Sequence, residues 1–135
     1  MRKLVNMTVH PLTAEQKETA EKTFNIKEFL ELKALQPELF ALMANSPDDS
    51  DKLQDLANRT VGYMLDLAYK YNAMFHLPIG SPAFNFALAK LIGNAPQLQG
   101  RIIFSHSERV SQETTLPDGS IRKENIFSFK KFIQF

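Results

Sequence analysis

Two clusters hold most of the chemically capable side chains of this 135-residue chain. Ser105-His106-Ser107 with Arg109 places two hydroxyls, an imidazole and a guanidinium within one short stretch. A guanidinium holds a phosphate as a planar fork. An imidazole gives or takes a proton near neutral pH. The plain alternative is a polar strand corner with a solvent-facing arginine. Upstream, His10 stands before Pro11, where it could donate to a phosphate or orient a reacting hydroxyl. It could equally bond the nearby backbone. Thr13 and Gln16 have the spacing of a capping box, and helix caps lie where anions bind. Gly80-Ser81 before Pro82 offers free backbone N–H groups and a helix N-terminus to a phosphate, or merely turns the chain and caps the helix. His76 falls inside an apolar run and reads as a core or sheet-face histidine.

Other chemistries are poorly served. There is no cysteine, which removes disulfides, thiolate zinc sites, iron–sulfur clusters and cysteine nucleophiles. The absence of cysteine also fits a reducing compartment. Histidines at 10, 76 and 106 form no i, i+4 pair, and Asp48, Asp49 and Asp51 lack calcium-loop spacing. No metal and no cofactor is therefore expected. Neither Gly-x-Gly-x-x-Gly nor Walker A occurs, and no Gly-x-Ser-x-Gly elbow supports a serine triad. The balance of 16 basic against 15 acidic residues, net +1, is not that of a DNA-coating polycation. Residues 38–66 are the acidic exception, with two basic and six acidic groups, as on a solvated helix. The remaining segments are mildly basic, enough for a small anion. Eleven phenylalanines lie mostly at apolar-periodic positions, where core packing is their expected job.

These side chains need a scaffold. The length suits one domain spanning residues 1–135, large enough to bury a core without staples. Leu4 to Val9 alternates and reads as a first strand. A helix follows from the Thr13 cap to about Phe24, with Asn25 as its stop. Glu28 to Leu32 reads as a second strand with one wet face, and Pro37 suits the first turn of a short helix ending near Ala44. From Leu53, apolar positions 53, 56, 57, 60, 61, 64, 65, 68 and 71 trace one stripe of a long helix. Ala73 to Ile79 predicts a third strand, and Ala83 to Ile92 a helix apolar nearly all round. That helix must lie under other elements or pack across a dimer axis. Gly100 to Ser105 predicts a fourth strand. Glu108 to Leu116 and Ser120 to Gln134 flank Pro117-Asp118-Gly119, a hairpin signal.

Strands alternating with helices predict a three-layer, mostly parallel α/β sheet closed by a C-terminal β-hairpin. Ligands of such sheets bind beyond the carboxyl ends of the strands. Val9-His10, Ile79-Gly80-Ser81 and Phe104 to Arg109 would all lie there, on one edge. The apolar stretch from residue 73 to 92 is interrupted by His76, Pro78, Pro82, Asn85 and Lys90, so no membrane-spanning helix is expected. Nor is a targeting segment expected from Met1 to Asn6, where no apolar run follows the charged opening. A cytoplasmic protein is expected.

His10-Pro11-Leu12-Thr13-Ala14-Glu15-Gln16 after a first strand resembles the opening of small CRISPR-associated accessory proteins of the Csx type, the ring nucleases of type III systems. The Csx-twenty subgroup is the most similar. Ile26 to Leu32 with Pro37 to Pro47, Gly80-Ser81-Pro82-Ala83, Phe104 to Arg109 and Leu116 to Ser120 keep the same order, so the likeness spans nearly the whole chain. It implies a Rossmann-like (CARF-like) fold and a homodimer. It also implies binding and cleavage of a cyclic oligoadenylate, cyclic tetra-adenylate first of all, to switch off antiviral signalling. Carried over by position, His10, Thr13 and Gln16 belong to the first ligand loop. Gly80 and Ser81 cradle phosphate, although Gly80-Ser81-Pro82 departs from the Gly-rich form of some members. Ser105, Ser107 and Arg109 complete the pocket. The expected reaction is metal-independent attack of a ribose 2′-hydroxyl on its neighbouring phosphate. Arg109 would stabilise charge, and His10 or His106 would move the proton. The alternatives are a sponge or sensor that binds the ring without cutting it, and a plain interaction protein that docks through the Ala83 to Ile92 helix.

Overall fold

The computed structural model describes residues 2–77 and 80–135. Strands and helices alternate in the described residues: β1 (Arg2–Asn6), α1 (Ala14–Phe24), β2 (Ile26–Glu31), α2 (Leu32–Leu35), α3 (Pro37–Ala44), α4 (Ser50–Tyr71), β3 (Met74–His76), α5 (Pro82–Gly93), a 3-10 turn (Pro96–Leu98), β4 (Ile102–Thr115) and β5 (Ile121–Gln134), with α2 and the 3-10 turn additional to the expected order. Local signals explain most boundaries. The Thr13 hydroxyl accepts from the Gln16 N–H at 3.1 Å, and Gln16 Oε1 accepts from the Thr13 N–H at 2.8 Å, a full capping box. Asn25 ends α1, and Asn72 ends α4, in the left-handed region with φ of 57° and 49°. Asp49 and Ser81 cap α4 and α5 with their side chains.

The sheet has the order β2-β1-β3-β4-β5. The first four strands pair in parallel, and β5 pairs antiparallel with β4. The fold is thus α/β, mostly parallel, with a C-terminal hairpin. Alternation along the strands splits the core in two. Leu4, Met74 and Ile103 point to the face covered by α1, beside Leu12, Ala20 and Ile26. Val5, Phe75 and Ile102 point to the other face, beside Leu56, Val61 and Met64 of α4 and Phe84 and Leu88 of α5. Each fully buried side chain of this size contributes roughly 1.5–3 kcal/mol of apolar transfer.

Several boundaries differ from the sequence reading. β1 stops at Asn6 rather than Val9, although the Met7 N–H still donates to the His76 carbonyl at 2.9 Å. β2 begins at Ile26, and Leu32 already belongs to α2. β3 covers Met74–His76; of the remainder expected as strand, Pro78 and Ile79 lie outside the described residues. The predicted fourth strand and the first arm of the predicted hairpin are one 14-residue strand, β4, with an irregularity between His106 and Ser107. Polar residues at 105–109 looked like a strand end, yet pairing with β5 continues through them. The hairpin turn itself is as expected. The Leu116 N–H donates to the Ser120 carbonyl at 2.8 Å, Asp118 Oδ1 accepts from the Ser120 N–H at 2.9 Å, and Gly119 takes φ 86°. On α5, Phe84 and Leu88 are buried while Phe86 is 67% exposed, so one apolar side stays uncovered.

Candidate functional site

The strand order reverses at β1, whose chain leaves first for β2 and later returns to β3 on the opposite side. Ligands of open α/β sheets bind at such a reversal, beyond the strand carboxyl ends. A cavity of about 400 Å³ opens there, lined by Thr8, Val9, His10, Pro11, Gln16, His76, Leu77, Phe104 and Ser105. That volume is in the lower range of small-molecule pockets. Three stretches far apart in sequence meet in it: residues 8–16, which run from the end of β1 into the first turn of α1, His76 and Leu77 at the end of β3, and Phe104 and Ser105 of β4.

Register explains the polar floor. Asn6 lies opposite Glu31 on one side and His76 on the other, so three polar residues form one row across β2, β1 and β3. Asn6 and His76 also lie two residues beyond Leu4 and Met74, on the α1 face. Ser105 lies two beyond Ile103 on the same face. Asn6 Nδ2 donates to Glu31 Oε2 and to the His10 carbonyl, both at 2.9 Å. Asn6 Oδ1 meets His76 Nδ1 at 2.9 Å. His76 Nε2 meets Ser105 Oγ at 2.7 Å. Gln16 Nε2 donates to Ser105 Oγ at 3.1 Å. Phe132 of β5 packs edge-on against the His76 ring, with centroids 5.6 Å apart. Among the described residues no buried side-chain polar atom lacks a hydrogen-bond partner.

His76 is 5% exposed, and this burial lowers its pKa from 6.5 to about 4. The imidazole is therefore neutral at physiological pH. A neutral ring donates from one nitrogen and accepts at the other. His10 and His76 are the titratable side chains among the described lining residues, which include no lysine or arginine.

The expected site residues divide between this cavity and other places. His10, Gln16 and Ser105 line it. Thr13 is one turn away, its hydroxyl engaged in the cap. Gly80 and Ser81 line a neighbouring cavity of about 210 Å³, which shares Val9 with the first. There the Ser81 hydroxyl accepts from the Phe84 N–H at 3.2 Å, and the Gly80 N–H donates to Asn85 Oδ1 at 3.3 Å. His106, Ser107 and Arg109 are not among the described residues lining either cavity. His106 is half-exposed with Nε2 3.9 Å from Glu108 Oε1. Arg109 lies on the exposed hairpin, its guanidinium 5.4 Å from the Phe127 ring centroid.

Asn6, Glu31 and His76 were not anticipated as site residues. His76 is buried in the sheet, as its apolar surroundings implied. Its partners, however, are 70 and 29 residues away in sequence. The available hint was periodic: strands one and three each place a polar residue two positions after a core residue. Among the described residues no group of three or more histidine, aspartate or glutamate side chains is arranged to hold a metal ion.

A family model described as the Uncharacterized protein MJ1673 family matches residues 2–133. The chain belongs to the MJ1673 family. The match runs from β1 almost to the end of β5, so the polar floor and the hairpin are both within the part shared with that family. No curated protein and no solved structure gives a significant match.

Proposed function

We propose that this MJ1673-family protein is a Rossmann-like, CARF-like ring nuclease. It binds a cyclic oligoadenylate, cyclic tetra-adenylate in the first place, and opens it by attack of a ribose 2′-hydroxyl on the adjacent phosphate. Its biological role on this reading is to switch off type III CRISPR signalling from the cytoplasm. The observation that carries the reading is the cavity at the strand reversal, where His10, Gln16 and Ser105 converge beside a buried neutral imidazole. A volume of about 400 Å³ accommodates part of a four-nucleotide ring, so the remainder would extend over the surface and onto the same cavity of a second protomer. A homodimer is thus part of the proposal. Catalysis would come mainly from holding the 2′-oxygen in line with the phosphorus.

A binding protein that sequesters or senses the ring uncut is the second reading. It is favoured by the lack of lysine or arginine among the described lining residues, since charge growing on phosphorus needs donors to stabilise it. Labelled cyclic tetra-adenylate incubated with the protein and EDTA separates the two. Linear product supports the nuclease. Intact ring in the protein-bound fraction supports the binder. No binding, and no change in melting temperature, removes both and leaves an interaction protein.

A further inference from the structure

We propose that Ser105, His76 and Asn6 form a proton relay. In it the Ser105 hydroxyl accepts the proton of an attacking ligand hydroxyl and passes its own proton to His76 Nε2. The inference rests on the ring-cleaving reading above and names a base for it other than His10 or His106. Its basis is that the direction of every hydrogen bond in the chain is forced.

Asn6 Nδ2 faces two acceptors, the Glu31 carboxylate and the His10 carbonyl, each at 2.9 Å. The amide group can satisfy these only with its nitrogen on that side. Asn6 Oδ1 therefore faces His76, and the neutral imidazole must carry its hydrogen on Nδ1 to donate there. Nε2 is then a bare lone pair. The Ser105 hydroxyl at 2.7 Å has to donate to it. Gln16 is fixed as well, because its Oε1 accepts from the Thr13 N–H and its Nε2 therefore faces Ser105. Ser105 Oγ thus gives its proton to His76, accepts one hydrogen from Gln16, and keeps one unused lone pair. Ser105 lines the cavity. A hydroxyl with its donor engaged and a lone pair spare can only accept from a ligand.

This polarity suits a substrate whose own hydroxyl attacks. The 2′-oxygen forms a bond to phosphorus as the bond from phosphorus to the 5′-oxygen breaks. The 2′-hydroxyl proton goes to Ser105 Oγ, the Ser105 proton goes to His76 Nε2, and the departing 5′-oxygen takes a proton from water at the cavity mouth, whose hydroxide then recovers the proton held on His76 by way of Ser105. Gln16 and Asn6 are positioning residues, the first holding the serine and the second holding the tautomer. His10 lines the cavity, but among the described residues no side chain orients its ring. His106 is 44% exposed on β4 and outside the lining.

The test compares wild type with Ser105→Ala, Ser105→Thr and His76→Gln. Single-turnover cleavage of labelled cyclic tetra-adenylate, ring affinity and melting temperature are each measured. Ser105→Ala should cleave on the order of 10²-fold more slowly with affinity within a few-fold of wild type, and Ser105→Thr should recover much of the rate. Wild-type cleavage by Ser105→Ala overturns the relay and leaves the nuclease standing. A second probe needs no ring: a fluorophosphonate, whose phosphorus gains Ser105 Oγ and loses fluoride as the serine proton passes to His76. Labelling of Ser105 that His76→Gln abolishes supports the relay even if the ring proves not to be the substrate. Absent labelling in wild type, or labelling indifferent to His76, overturns the relay.

Discussion

Along β4, Ile102 and Ile103 are 3% and 0% exposed, whereas every residue from Ser107 to Thr115 is exposed. One strand thus runs through two environments. Its start is flanked by β3 and β5 and covered by core residues on both faces. Past Ile103 the pairing with β3 ends and β5 is its partner alone. A two-stranded ribbon has little to exclude water with. The comparison explains why polar residues of similar type serve differently on either side of His106. Ser105 is held at both hydrogen-bonding ends by buried or half-buried partners, and low local dielectric strengthens such a chain. Ser107 and Arg109, only a few residues on, are in water. There a cation over an aromatic ring is worth about 0.5–1 kcal/mol.

The sharpest way to break the comparison is at the row across the sheet. Asn6→Leu removes the side chain that joins Glu31, the His10 carbonyl and His76. It should cost about 3 kcal/mol in urea unfolding, since the buried His76 imidazole and two part-buried acceptors lose their partner at once. A loss below 1 kcal/mol would mean that water replaces those bonds and the floor is not dry.

Next is pH. The folded pKa of His76 lies below its unfolded value, so the unfolded chain binds the extra proton first. Stability should be complete above about pH 6.5, fall from there towards pH 4, and level off below it. The full shift corresponds to about 3 kcal/mol. Urea titrations at several pH values should show this fall in wild type and its absence in His76→Gln. An identical fall in both would assign it to carboxylates elsewhere.

Gln16→Ala should cost about 1 kcal/mol, through the lost capping box and the bond to Ser105. On the hairpin, Phe127→Ser and Arg109→Ala should shift stability by less than about 0.5 kcal/mol, although Phe127 is a large side chain, because it is already 72% exposed. Hairpin amides past Ser107 should also exchange hydrogen far faster than those of β1 and β3. If Arg109→Ala instead abolishes ring binding, the hairpin belongs to the site and the contrast between the two halves of β4 fails for function.

Much of this is legible in the sequence. Helix α1 was placed from Thr13, Gln16 and Asn25, α3 from Pro37, α5 from Ser81 and Pro82, and the closing turn from Asp118-Gly119. These are short-range devices in which a residue acts on the backbone three or four positions away. The stripe of α4 followed the helical period, with Leu53, Leu65 and Tyr71 half-buried against the core and Leu67, outside the expected stripe, buried. The edge on which His10 and Ser105 would gather was legible too, because parallel strands all end on one side, although Gly80 and Ser81, expected with them, line the neighbouring cavity. The continuous β4 was not, since nothing local tells a polar strand end from a polar stretch still paired to a neighbour.

Element order and caps are properties of neighbouring residues, so the chain alone determined the alternation of strands and helices, their ends, and the edge where a ligand site should form. The surroundings of His76 were decided by the tertiary structure. Its ring is an apolar-run histidine until β3 comes in beside β1 at the register that sets it opposite Asn6, with Ser105 arriving from β4. Hydrogen-bond direction depends on the partners around Asn6, the Glu31 carboxylate accepting and the His76 imidazole donating, and folding brings these together across separations of 25 and 70 residues.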